Sequence, residues 1–550
     1  SYENNVVQGL ENLFNSPMSK TGHIIQSCFH YDPTNSEQLI HNMLSPSYET
    51  CTRLDINAKY MLDAQKEVVK GSAADERNYL LLWTTPSVLS KKEAKDSVKD
   101  KVEEYKSYQF PINNSGNPFA ANMAIYERHK SFVNQTMSEL SRIGLETKSE
   151  ATNKQSRPLT VVEGVREIRR GVDEEYTSKD WSPSLPGDRI MTQRKQHYNA
   201  EEWDIMSPKL SQQICSRDAE IIETNVVKIG NYYYAPIYID IMPKKIQPFN
   251  KLFGSLLVNK FMPWRIMYTI EGDGMASINL KHTVSRVLAV TSKSNKLLNR
   301  DADNLVHLAE SETIVKYRIS LCTWSKSLEN VKAQVAILSR AVESWGNPQI
   351  SEITGNPIAG LASSSIGFTT KGVATVNAAP LHDAIMMMPF SRPSNLWDNG
   401  AVIFSAIDGK LMPYQPMSSK QATWITLIFA GPGSGKSVLM NMTNIALCLS
   451  PGIKRLPRIS ILDIGWSSKG FIDLMHDALP NHMKHLVIYK KLANTKEFCM
   501  NPMDTKVGCR FPISVDLTYL INLVTLLITD SETKKIESGV TDFVRVLIEK

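Results

Sequence analysis

Hydrophobic residues along this chain follow two periodicities. Short runs of β-branched and aromatic residues, closed by proline or a capping motif, alternate with stretches where apolar residues recur every three or four positions. Residues 1–75 carry a polar surface pattern that predicts short helices. Residues 79–85 form a strand-like run ended by Pro86. Ser90-Lys91-Lys92-Glu93 then has capping-box spacing, and the helix behind it would place Ala94, Val98, Val102 and Tyr105 on one face. Lysines and acids interleave over residues 91–106, which describes a solvated helix surface rather than a nucleic-acid patch.

Residues 145–157 are polar and predict a loop. Residues 171–218, with Ser182-Pro183-Ser184-Leu185-Pro186-Gly187, predict an insertion or long connection. From residue 249 the pattern tightens. Phe249, Leu252, Phe253, Leu256 and Leu257 share a helix face, and residues 264–270 predict a strand. A helix-like stretch runs from about Val284 to Val315. Residues 317–324 predict a further strand, and Leu328, Val331, Val335, Leu338 and Val342 a further helix. Strands each followed by a helix predict a mixed α/β region over 1–380. The cluster Met386-Met387-Met388 has the character of core filler. Trp397 and Gly400 mark a boundary, so a second domain is expected over 381–550.

That second region carries the chemistry. Residues 423–429, Thr-Trp-Ile-Thr-Leu-Ile-Phe, predict a strand, and residues 438–447 predict a helix. Between them lies Ala430-Gly431-Pro432-Gly433-Ser434-Gly435-Lys436-Ser437. Strand, glycine loop and helix N-terminus are the context of a phosphate-binding loop. Gly431, Gly433 and Gly435 would let the loop of Gly431, Pro432, Gly433, Ser434, Gly435, Lys436, Ser437 and Val438 wrap an anion with its backbone N–H groups, Pro432 having none to offer. Lys436 would reach the β and γ phosphates of ATP and act as the catalytic cation, while Ser437 would hold Mg²⁺. Alanine at 430, where the full pattern has glycine, tolerates positive φ poorly, so the start of the loop is expected to differ slightly.

A RecA-like motor also needs a later strand ending in an acidic pair. No apolar run ending Asp-Glu occurs between Ser437 and Lys550. The last residues, 541–550, read as helix with no stop signal, so 381–550 is expected to be the incomplete start of a RecA-like P-loop ATPase domain. Residues 459–465 predict a strand with Asp463 near its C-terminal end, where either a γ-phosphate, substrate-sensing or subunit-coupling role or a structural cap is open to it. Asn501-Pro502 would end a strand-loop segment, and Pro512 precedes a helical pattern.

Totals narrow the picture only a little. The length suggests about three or four domains. A net charge of +6 arises from 62 basic and 56 acidic residues, a near balance that does not favour DNA as a partner. The seven cysteines are scattered without a CxxC, which argues against a disulfide scaffold or zinc site and fits a reducing cytosol. His197 and His282 have no acidic partners at ligand spacing. Residues 517–528 are apolar but too few to span a bilayer.

The loop 431–437, the run Ile461-Leu462-Asp463, the pair Asn501-Pro502 and a large preceding α/β region ending Met388-Pro389-Phe390 together resemble the conjugation-type ATPases of bacterial type IV secretion systems. The resemblance covers most of the chain. It implies a cytoplasmic ATP hydrolase, peripheral on the bacterial inner membrane, that energises translocation of protein effectors. It further implies a homo-oligomer, hexameric in relatives, and contacts with the inner-membrane secretion complex and with a second secretion ATPase, DotB in the Dot/Icm systems. Lys436 and Ser437 carry over as phosphate and magnesium contacts. Two alternatives stay open: a nucleotide-binding scaffold with little hydrolysis of its own, and a DNA-translocating motor.

Overall fold

The computed structural model describes residues 2–34, 36–71, 73–107, 122–145, 158–178, 180–185, 188, 208–243, 245–257, 262–276, 303–353, 355–393, 395–406, 409–493, 495–499, 501–529 and 535–549. His197, His282, Pro186, Gly187, nearly all of the polar stretch 145–157, and most of the helix-like stretch from Val284 lie outside the described residues, as do the side chains of Val102 and Tyr105. Contacts group the chain into two units, Ser1–Pro480 and Asn481–Lys550.

The first unit is mixed α/β around an antiparallel sheet. Its strands are β1 (His23–Asp32), β2 (Asp75–Thr84), β3 (Ala219–Glu223), β4 (Val226–Ile229), β5 (Tyr232–Ile241), β6 (Trp264–Glu271), β7 (Ile314–Ser325), β8 (Gln349–Ser351) and β9 (Asn377–Pro380). The spatial order is β2-β1-β6-β7-β5-β4-β3, with β8 on β5 and β9 on β7. The hairpin β10 (Val402–Ser405) and β11 (Leu411–Tyr414) stands apart from this sheet.

Strand β6 lies between β1 and β7, and all but its last residue is buried. Its alternate residues therefore serve two covered faces. Trp264, Ile266, Tyr268 and Ile270 join Phe29 of β1 and Tyr317 of β7 in one apolar core. That core is closed by the helices Tyr2–Met18, Phe249–Leu256, Leu328–Ser344 and Leu381–Met386. Each fully buried large side chain contributes roughly 1.5–3 kcal/mol, so this face supplies most of the cohesion. Met387 and Met388 are buried in it, as filler should be.

The opposite face mixes small apolar clusters, such as that of Cys28, Met267 and Ile366, with buried polar groups. Arg265 of β6 is 2% exposed. It donates to the carbonyl oxygen of Gly171 and, through Nη2, to Ser365 Oγ at 2.6 Å and Ser364 Oγ at 3.3 Å. The guanidinium also sits over the Trp324 ring, 5.6 Å from its centroid. One side chain thus ties the central strand to the end of the helix Val161–Arg170 and to the helix Pro357–Ser364.

The sheet corrects several expectations. Residues 1–75 are not all helix: β1 lies among them, and it is buried on both faces, so it lacks the polar alternation that marks a half-exposed strand. The expected helix reaching Val315 gives way at Ile314 to β7. The predicted strands at 79–85, 264–270 and 317–324 exist, and each pairs antiparallel with its neighbours, β6 directly with β7. Residues 423–429 and 459–465 carry no strand pairing, since a strand needs a neighbour's backbone groups and neither run has one. The capping box at Ser90 is present: Ser90 N donates to Glu93 Oε2 at 2.8 Å and Glu93 N to Ser90 Oγ at 3.3 Å.

Replacing Arg265 with alanine would leave Gly171 O and two buried hydroxyls short of a donor and open a cavity on a close-packed face. Its expected cost is about 3 kcal/mol, read as a lowered urea midpoint with an unchanged slope. A loss below about 1 kcal/mol would show that the polar face is not a structural tie.

Candidate functional site

The glycine loop turns into the helix Lys436–Cys448. Gly433 has φ 76° and Gly435 has φ 90°, a region that side-chain-bearing residues rarely adopt. A Cβ at Gly431, Gly433 or Gly435 would meet no atom within 4 Å, so it is backbone conformation rather than crowding that calls for glycine at 433 and 435. Ala430 is not among the described residues with positive φ, which are Asp55, Asp273, Asn347 and Met417 besides glycines. The start of the loop therefore makes no demand at position 430 that alanine cannot meet.

Inside the loop, Ser434 Oγ donates to Gly431 O at 2.7 Å. The Lys436 ammonium folds back on the loop, donating to Ala430 O at 2.6 Å and to Gly431 O at 3.0 Å. Leu439 N makes the first helical bond, to Gly435 O at 2.9 Å. The amides of Lys436, Ser437 and Val438 precede it and have no carbonyl of their own helix to pair with. No acidic residue occupies the first turn, which leaves the positive end of the helix dipole uncompensated. Gly431, Pro432, Gly433, Ser434, Gly435, Ser437 and Val438 are all exposed. The arrangement suits an anion: backbone N–H groups, a cation on a flexible stem and a hydroxyl at Ser437 converge on one exposed turn.

Asp463 is fully exposed, and its carboxylate is saturated locally. Oδ1 accepts from Gly465 N at 2.9 Å, and Oδ2 accepts from Ser467 Oγ and Ser468 N, both at 2.9 Å. These bonds, the Gly465 amide first, hold its carboxyl down at about 2. The carboxylate thereby closes the turn that leads into the helix Lys469–Ala478, whose N-cap is Ser468. Asn441, which drew no notice in the sequence, joins the two elements by donating from Nδ2 to Ser467 O at 2.9 Å. Only its place one turn after the loop could have flagged it.

A second grouping lies on the polar face of the sheet, where the sequence offered no constellation. His30, Asp32 and Glu174 bring one ligand-type atom each within 4.8 Å of one another. Residues distant in sequence meet here through the β1–β2 pairing that sets His30 opposite Arg77. Burial, then Arg77, Arg265 and Arg170, push the His30 pKa well below its ordinary value, so the imidazole is neutral. Burial, then Glu174, raise Asp32 to about 6. Arg77 Nη2 sits 3.2 Å from His30 Nε2 and 3.0 Å from Glu174 Oε1, so a guanidinium already provides the positive charge. Arg170 adds a second, 2.9 Å from Glu174 Oε1. The grouping is an ion-pair network that fastens the segment around Glu174 to β1 and β2.

No known family matches the chain, and no curated protein does. No helix among the described residues is long and apolar enough to cross a membrane.

Asp463 gives a pH test with a defined sign. Its folded pKa lies below the ordinary 3.8, so its contribution is complete above about pH 4 and fades as pH falls towards 2. Asp463→Ala should therefore speed amide exchange over residues 465–475 at pH 7. After correction for intrinsic rates, the difference from wild type should shrink between pH 4 and 2. A difference that persists undiminished at pH 2 would assign the effect to something other than the carboxylate.

Proposed function

We propose that this chain is an ATP-hydrolysing motor subunit that energises protein translocation at the cytoplasmic base of a type IV secretion system. The observation that carries the reading is the loop: two glycines in left-handed conformation lead into a helix start with a free dipole, and a lysine is folded over them. ATP phosphates would draw Lys436 from the carbonyls of Ala430 and Gly431, exchanging neutral acceptors for charged ones. Amides from Gly431 to Val438, save that of Pro432, would hold the phosphate oxygens, and Ser437 would ligate Mg²⁺. The ion would supply charge neutralisation at the β and γ phosphates.

The reading extends to fold and partners. Residues 381–550 would adopt a RecA-like arrangement in which 423–429 and 459–465 pair as strands. In support, Phe429 is 85% exposed and Leu462 96% exposed, apolar surface that a sheet would bury. The chain resembles DotO (IcmB) of the Legionella Dot/Icm system. A hexameric ring, DotB as second ATPase, the inner-membrane complex and protein effectors follow from that resemblance, and the membrane contact would be peripheral. Nucleotide-dependent closure of rings commonly depends on a neighbouring subunit completing the site.

Lys436→Ala should weaken ATP binding at least tenfold by calorimetric titration and abolish secretion in a complementation assay, while thermal unfolding stays near wild type. Unchanged affinity with intact secretion would remove the proposal.

Between Ser437 and Lys550 no apolar run ends in Asp-Glu, the pair that would position the attacking water. The 550-residue chain should accordingly release phosphate from ATP only slowly, below about 0.1 per second against the 1–100 per second of efficient phosphoryl-transfer enzymes. Faster turnover would mean that a carboxylate elsewhere positions the attacking water.

A further inference from the structure

The helix Lys436–Cys448 begins at the glycine loop and ends against a helical hairpin from the far N-terminal part of the chain. That hairpin, Ser36–Arg53 and Lys59–Lys70, is the connection between β1 and β2, adjacent strands of the main sheet. Three carbonyls at or just beyond the ends of the loop-side helices accept hydrogen bonds from it. Thr50 Oγ1 lies 3.0 Å from Ser450 O, a proton it shares with Pro46 O at 3.1 Å in its own helix. Arg53 Nη1 donates to Ile453 O at 3.0 Å. Asn57 N donates to Ala478 O at 2.8 Å. The first two acceptors follow the loop helix. The third is the last residue of Lys469–Ala478, which follows the turn that Asp463 closes and that Asn441 links to the loop helix.

Both helices therefore start on the loop side and finish on the same hairpin. The hairpin also holds β10, through Gln65 and the backbone of Ala401 and Ile403, and Gly400 N donates to Met43 O at 3.1 Å. Between these ties the packing is incomplete. Met61, Leu62 and Gln65 of the hairpin face Met442, Ile445 and Leu449 across an apolar cavity of about 330 Å³. Fixed points at the helix ends with open space beside them allow the helix to shift as a rigid body without a steric clash.

We infer that the hairpin 36–70 transmits the state of the glycine loop to the N-terminal sheet, with Thr50 and Arg53 as positioning residues. The inference rests on the nucleotide-binding reading of the loop. A ligand at 431–437 that repositions the helix start moves Ser450 and Ile453 with it, because a helix of this length is stiff. The hairpin follows through its two side-chain bonds and carries the displacement into the ends of β1 and β2.

Amide exchange by mass spectrometry on the 550-residue chain tests this in two comparisons. Without nucleotide, Thr50→Val/Arg53→Ala should exchange several-fold faster than wild type over residues 440–455, with 264–271 unchanged. With Mg-ATP at saturation, wild type should gain protection at both 431–440 and 47–58. The double variant should bind ATP within about threefold of wild type and gain protection at 431–440 only, and Thr50→Ser/Arg53→Lys should restore the response at 47–58. Equal exchange in the first comparison overturns the link. Protection of the loop with an unmoved 47–58 segment in wild type overturns transmission while leaving nucleotide binding intact. No binding of Mg-ATP at all overturns the nucleotide reading, and transmission of its state falls with it.

Discussion

Strand β6 has neighbours on both edges and cover on both faces, and the first unit is arranged around that constraint. Its backbone groups are taken by β1 and β7, so nothing on it can face water without loss. One face solves this with bulk: Trp264, Ile266, Tyr268 and Ile270 meet Phe29, Phe249 and Tyr317 in an apolar core, with Phe29 and Phe249 centroids 4.9 Å apart. The other face solves it with pairing. Arg265 cannot be buried alone, and its hydrogen-bond partners come from two segments widely separated in sequence.

The polar face explains why the stretch after Arg170 is held where it is. Glu174 lies in the arms of Arg77 and Arg170, and Val172 O accepts from Tyr234 Oη at 3.3 Å. Four carboxylates of this network, those of Asp32, Asp75, Glu167 and Glu174, face two guanidiniums. A neutral His30 and a raised Asp32 moderate the imbalance. Such a network adds little net stability over an apolar core, but it penalises any register of β1 on β2 that separates His30 from Arg77.

Elements fixed by local signals were legible in the sequence. The helix Leu328–Ser344 buries Val331, Val335, Leu338 and Val342 as their spacing required, and Phe249–Leu256 does the same. The glycine loop was legible too, because φ 76° at Gly433 and φ 90° at Gly435 are demands on single residues. What the pattern missed depends on distant partners. β1 carries Gln26, Ser27, His30 and Asp32 in buried positions, and only pairing with β2 and β6 makes a strand of them. The His30–Arg77–Glu174 contact joins residues up to 144 positions apart by number and leaves no spacing to detect. The runs 423–429 and 459–465 show the converse: apolar, strand-forming composition without a paired neighbour gives irregular, largely exposed chain.

The same distinction bears on how the loop and the sheet can influence one another. A 13-residue helix is about 20 Å long, so the amides at its start and the carbonyls beyond its end lie too far apart for direct electrostatic contact through water. Any influence must pass as displacement of a stiff rod. The rod's far end meets few groups: a shared hydroxyl at Thr50, a guanidinium at Arg53 and a partly filled apolar space. Because those groups sit in the β1–β2 connection, a shift there acts directly on the strand ends that the buried ion pairs hold, His30 and Asp32 closing β1 and Asp75 and Arg77 opening β2. A displacement that the network resists is passed on as force along β1 rather than dissipated in a loop. The polar face, of little value as a source of stability, would thus supply the rigidity that transmission requires.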